Sequence, residues 1–254
     1  MRALALGLIC ALAGGVALAQ DAPSAKSPNA CIFAAGVVAP DFALQHAAQA
    51  IARKKLDIAV IGSASSELNG PGGTSIAYPV RLEAALAKLL PGVAVKVTTY
   101  VKPRDTAADM VKRLGPLVAT AKPALVVWQT GTVDAIRGVD PDDFRMSLDE
   151  GVSAIEAGKA DVVFMNMQYS PRTEDVLAVG PFADVMRIVA LQREVVLFDR
   201  FSIMERWNEG KAFDLYSRTR TTVIAEQVHD CLGRLLANVM VAGAKMANSA
   251  KTAP

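Results

Sequence analysis

Histidine is nearly missing from this chain: there are two in 254 residues, His46 and His229, far apart in the sequence. Cysteine is scarce too, with Cys10, Cys31 and Cys231 and no C-x-x-C pair. A metal centre needs clustered histidines, cysteines or carboxylates, so no metal and no cofactor is expected. Aromatic residues make up 6% and the formal net charge is only +2. Nucleic-acid binding calls for a basic stripe, often with aromatics between the cations. Neither is present, and no nucleic-acid partner is expected. There is no G-x-x-x-x-G-K-[ST] loop. The Gly70-Pro71-Gly72-Gly73 cluster falls short of G-x-G-x-x-G because Ser75 stands where the third glycine belongs, so it reads as a turn. What the chain does have is apolar bulk. Hydrophobic residues make up 52%, enough to bury the core of one large domain.

The N-terminus has its own pattern. Residues 1–19 read as a secretory signal peptide, with Arg2 first, an apolar run over 3–18 and the small-residue site Ala17-Leu18-Ala19. Ile9 before Cys10 is not the small residue of a lipoprotein signal. The expected organisation is therefore signal peptide 1–19, a polar linker 20–40, one domain 41–248 and a polar tail 249–254. That places the mature chain in the periplasm or outside the cell, with no membrane span. Cys31 and Cys231 are then left as an even pair in an oxidising compartment, which predicts a disulfide.

Residues 57–73 organise the rest. The apolar run Ile58-Ala59-Val60-Ile61 breaks at Gly62 into Ser63-Ala64-Ser65-Ser66, and an amphipathic segment follows over 78–90. That is strand, loop, helix. Further strands are expected at 93–100, 124–129, 161–167 and 194–198. Helices are expected at 41–54, 106–120, 142–158, 182–193, 202–208 and 221–247, the first with Asp41 as N-cap. Strand-helix alternation at this spacing means a parallel sheet covered on both faces, a three-layer α/β/α domain. Ligands of such sheets sit beyond the carboxyl ends of the strands, so residues 63–66 are the first place to look for function.

Serine chemistry needs a base beside the hydroxyl and donors for the developing oxyanion. Ser63, Ser65 and Ser66 lie at a strand end. His46 precedes the first strand on a helix and reads as structural. His229 is the credible base, with Glu226 on the same helix face. Yet it sits inside the amphipathic closing helix, where the pattern reads it as a surface residue.

Several segments carry a resemblance: 57–66; 78–90 followed by Pro91-Gly92-Val93; 126–132, VVWQTGT; 167–171, MQYSP; and 200–207, RFSIMERW. With Cys31 and Cys231, they make the chain resemble the SGNH/GDSL hydrolase superfamily, in particular a secreted bacterial branch whose first block reads G-S-S-S-T. The resemblance implies a flavodoxin-like five-stranded parallel sheet in the order 2-1-3-4-5 and an ester-hydrolase lineage. It also implies where the catalytic groups belong. The nucleophile position is Ala64. The oxyanion glycine falls at Arg104. In the block Gly131-Thr132-Val133-Asp134 the oxyanion asparagine is Val133. Counting back from Cys231 puts the acid at Arg220 and the base at Val223.

Each change removes a group the reaction needs. Alanine has no attacking oxygen, and valine neither donates a hydrogen bond nor takes a proton. The expected function is therefore that of an exported protein that binds without hydrolysing. Ser63, Ala64, Ser65, Lys102, Arg104, Val133, Asp134 and Arg220 would line its pocket. Three of these are cations, which suits an anionic glycan, acyl or other envelope ligand. The alternative is an active serine esterase on acyl or acetyl esters, using Ser63 or Ser65 with His229. A third reading is a structural envelope protein that offers a surface to a protein partner.

Overall fold

A computed structural model describes residues 31, 38–68, 72–174, 176–216 and 222–252. The expected signal peptide and Arg220 lie outside them.

Five strands form one sheet: β1 (Lys55–Gly62), β2 (Ala94–Val101), β3 (Leu125–Gln129), β4 (Asp161–Met165) and β5 (Val196–Phe198). Their order is β2-β1-β3-β4-β5, and every neighbouring pair is parallel. The order reverses between β1 and β3, which opens a crevice at their carboxyl ends. Ten helices are described: α1 (Gln45–Ala52), α2 (Gly73–Ile76), α3 (Tyr78–Leu89), α4 (Ala107–Ala121), α5 (Thr132–Arg137), α6 (Pro141–Ala157), α7 (Pro171–Glu174), α8 (Gly180–Gln192), α9 (Arg200–Glu209) and α10 (Thr222–Thr252). Among the described residues no helix is long and apolar enough to cross a membrane.

The alternation of side chains along each strand splits the core in two. Ile58, Val60, Leu125, Val127, Val163, Met165, Val196 and Phe198 face α1, α3, α9 and α10. Ala59, Ile61, Val126, Trp128, Val162 and Phe164 face α4, α6 and α8. Both faces are apolar because a parallel sheet is covered on both sides. β2 is one of the two edge strands, and its burial is low along its length.

Helix α4 starts where its local code says. Thr106 accepts the Asp109 N–H, and Asp109 reaches back to the Thr106 N–H, a capping box. Helix α1 starts elsewhere. It was expected from residue 41 with Asp41 as cap, but it begins at Gln45. The capping acid is Asp161 at the start of β4, whose carboxylate accepts the His46 and Ala47 N–H groups at 3.1 and 2.8 Å. His46 lies there, at the amino end of the sheet, away from the serine loop. Helix α10 runs on to Thr252, into the segment read as a tail. Cys31 and Cys231 form the expected disulfide, which ties the start of the described chain to α10.

Candidate functional site

The site grows from the end of β1. After Gly62 the chain turns through Ser63 into a short 3-10 turn, Ala64–Ser66. β3 ends one strand away in Gln129, a fully buried polar residue at the tip of an apolar strand. Its Oε1 accepts three bonds: from the Ser63 N–H at 3.0 Å, the Ser63 hydroxyl at 3.2 Å and the Ser66 hydroxyl at 3.1 Å. The Tyr78 hydroxyl lies 3.0 Å from Ser66 Oγ. Because Ser66 has given its proton to Gln129, Tyr78 is the donor of that pair. On the other side of the turn, Arg200 Nη1 donates to Ser65 Oγ at 3.3 Å.

Arg200 is the first residue of α9, directly after β5. Asp199 caps that helix by accepting the Ser202 N–H, and it also binds the Asn166 amide at 2.6 Å and Arg187. Burial alone would raise the Asp199 pKa, but these hydrogen bonds outweigh it and hold the carboxyl below its ordinary value. Asn166 in turn accepts the Phe201 N–H. This brace fixes the helix start and so aims Arg200 under the serine turn, 1% exposed.

His229 enters by a different route. Helices α3 and α10 cross closely at Gly233, where a Cβ would stand 2.8 Å from the Leu82 backbone nitrogen. One turn earlier on α10, His229 meets the first residue of α3. Its Nδ1 accepts the Tyr78 N–H at 2.9 Å, and the two rings stack at 6.0 Å. The surface position expected for His229 is thus not what is found: it is 5% exposed. Nor does Glu226 orient it, since Glu226 pairs with Arg81 at 2.7 Å.

The charges follow from burial. Tyr78 is pushed up to about 12 by burial, against the pull of Ser66 and Arg200. His229 is pushed down to about 4, first by burial and then by the Arg200 charge. Burial lowers Arg200 to about 10, which leaves it protonated at neutral pH. The cluster then holds one cation among neutral groups. Because Nδ1 accepts an amide N–H, the neutral imidazole carries its proton on Nε2. No ring nitrogen is left to receive a serine proton. The hydrogen bonds of Ser63, Ser65 and Ser66 run to Gln129, Tyr78 and Arg200, and none runs to His229.

The other expected pocket residues are placed as follows. Ala64 is half-buried at the head of the serine turn. Lys102 is exposed and pairs with Asp105 at 3.7 Å. Arg104 is exposed, with φ at +69°. That is a glycine-like conformation, held at the position where the resemblance puts a glycine. Val133 is half-buried in the first turn of α5. Asp134 is buried and braces α4, accepting the Ala107 N–H at 2.9 Å and the Thr130 hydroxyl at 3.4 Å, and burial raises its pKa. Val223 is 46% exposed in the first turn of α10.

Gly131 is fixed by two constraints at once, a φ of +98° and a position at which a Cβ would run into Met167 Sδ. Gly131→Ala should cost about 2–4 kcal/mol from the strained backbone and overpacking together, read from the urea midpoint. An unchanged midpoint would refute that tight approach.

Arg200, Tyr78 and Gln129 join the site without being among the residues expected from the sequence. Two signals were there: a glutamine closing an apolar strand, and a cation in the first turn of a helix, where the dipole disfavours it.

A family model described as the non-GDSL lipase-like family matches residues 30–246. The chain belongs to that family. Its fold is SGNH hydrolase-like, and the chain is similar to the esterase TesA of Pseudomonas aeruginosa. It is 33% identical to that protein over 101 residues, 38% of this chain, and the match spans 48% of the relative, about half its length. A crystal structure of TesA superposes with a TM-score of 0.57 at 26% identity, covering 73% of this chain and 97% of the other. A mutant of an acetyl-xylooligosaccharide esterase from Geobacillus Stearmophilus gives a TM-score of 0.60 at 15% identity, over 73% and 94% of the two chains. At that identity it speaks for the fold alone.

Proposed function

We propose that this non-GDSL lipase-like chain is a ligand-binding protein of esterase lineage that no longer hydrolyses esters. The observation that carries this reading is the state of His229. Its only basic nitrogen is engaged by the Tyr78 amide, and the ring stays neutral down to about pH 4. Ala64 supplies no nucleophile, and Val223 supplies no base. The carboxyl ends of the strands remain polar and hold a buried cation, which supports an anionic glycan, acyl or envelope ligand. The N-terminal pattern and the Cys31–Cys231 disulfide support export to the periplasm or beyond.

A fluorophosphonate probe tests the reading. No adduct is expected on Ser63, Ser65 or Ser66, and p-nitrophenyl acetate should be cleaved no faster than by buffer. An adduct on any of the three serines sinks the proposal. It would favour the second reading, an active esterase using Ser63 or Ser65 with His229, for which the likeness to esterase TesA is the supporting observation.

A further inference from the structure

Buried donors without acceptors gather at the carboxyl ends of the strands. Among the described residues six buried side-chain atoms lack a hydrogen-bond partner, and four of them are here: Gln129 Nε2, Thr132 Oγ1, and Arg200 Nε and Nη2. The Gln129 orientation is fixed because its oxygen receives a backbone N–H, so Nε2 is a true unmet donor. Arg200 is more unusual. Among the described residues no carboxylate pairs with it, and Tyr78 and His229 beside it are neutral. An unpaired buried charge is costly, and its place in the first turn of α9 adds an unfavourable helix dipole. A charge buried at such cost calls for an acceptor.

The geometry says which partner. Nη1 is used by Ser65. Nε and Nη2 are free, and together they form one edge of the planar guanidinium, the edge that takes two coplanar oxygens side by side. Ser65, which takes the Nη1 bond, is half-buried. We infer that Arg200 is the anchor of this site and grips the carboxylate of a small organic acid through Nε and Nη2, with Gln129 Nε2 as a further donor of the same network. This rests on the reading that the site binds without hydrolysis.

Calorimetry at neutral pH and constant ionic strength would use acetate, butyrate and glucuronate as probes, acetamide and glucose as neutral controls, and inorganic phosphate. Saturable binding is expected for at least one carboxylate and for neither control. Arg200→Lys keeps the charge but loses the fork, and should weaken binding about tenfold to a hundredfold. Arg200→Met should abolish binding and melt at or above the parent, since it removes an unpaired buried charge. Binding of no carboxylate, tighter binding of phosphate than of any carboxylate, or equal affinity in Arg200→Lys overturns the inference. So does an Arg200→Met variant that melts well below the parent, which would make the arginine structural. Fluorophosphonate labelling with carboxylate binding intact would sink only the non-hydrolytic reading. Absence of both would sink only the anchor.

Discussion

Reducing the Cys31–Cys231 disulfide should lower the unfolding free energy by about 5 kcal/mol in the chain-entropy model. The size follows from the loop it closes, a sequence separation of 200. Without the bond the unfolded chain regains nearly the whole freedom of the domain. The half-cystine on α10 is buried in the same core cluster as Leu232 and Leu235, two residues after His229. The bond therefore ties residue 31 to α10 two residues from the histidine that meets Tyr78. Urea melts of the native protein, with and without reductant, should differ in midpoint by about 1–2 M. A Cys31→Ser, Cys231→Ser double variant should match the reduced protein. Equal midpoints would refute the effect, and alkylation of both thiols in the native, unreduced protein would refute the bond.

The second large effect is acid sensitivity from His229. In the unfolded chain the imidazole takes a proton near its ordinary 6.5; in the folded protein burial and the Arg200 charge hold it neutral to about 4. Above pH 6.5 neither state is protonated, and the histidine leaves stability unchanged. Between about 6.5 and 4 only the unfolded chain is protonated, so stability falls as pH falls. Below about 4 both states are charged and the loss levels off. Over that window the loss amounts to about 3 kcal/mol. Asp134 and Asp161, whose pKa values burial raises, act in the opposite sense in the acid range. The histidine's share is thus the difference between the parent and His229→Asn, which retains an acceptor for the Tyr78 N–H. The parent should lose stability more steeply between pH 6.5 and 4 than the variant. Parallel curves would mean that the imidazole is not buried and neutral in solution.

The sequence was most legible where local chemistry governs. Thr106 and Asp109 spelled out a helix start, and the apolar runs of β1, β3 and β4 marked buried parallel strands. The serine loop after Gly62 was found because a strand has to end somewhere, and its ligand edge is its carboxyl end. Arg104 has a φ of +69°, a backbone conformation that its residue type did not announce. Legibility failed where a contact spans the chain. The cap of α1 comes from Asp161, more than a hundred residues on, so the nearby Asp41 drew the assignment. His229 sits in a helix pattern that says surface, and only the close crossing at Gly233 buries it.

The sequence alone determined the fold class, the strand order through the resemblance, the disulfide pair and the position of the serine loop. These depend on periodicity, turn chemistry and residue identity, which are local and one-dimensional. The tertiary structure alone decided which polar groups are buried together. Lys102 and Arg104, charged in the sequence, stand at the surface, while Arg200, equally charged, lies under the serine turn with no carboxylate partner among the described residues. Burial is what separates them: in water a guanidinium is satisfied by solvent, but inside the protein its donors and its charge depend on the groups packed around it.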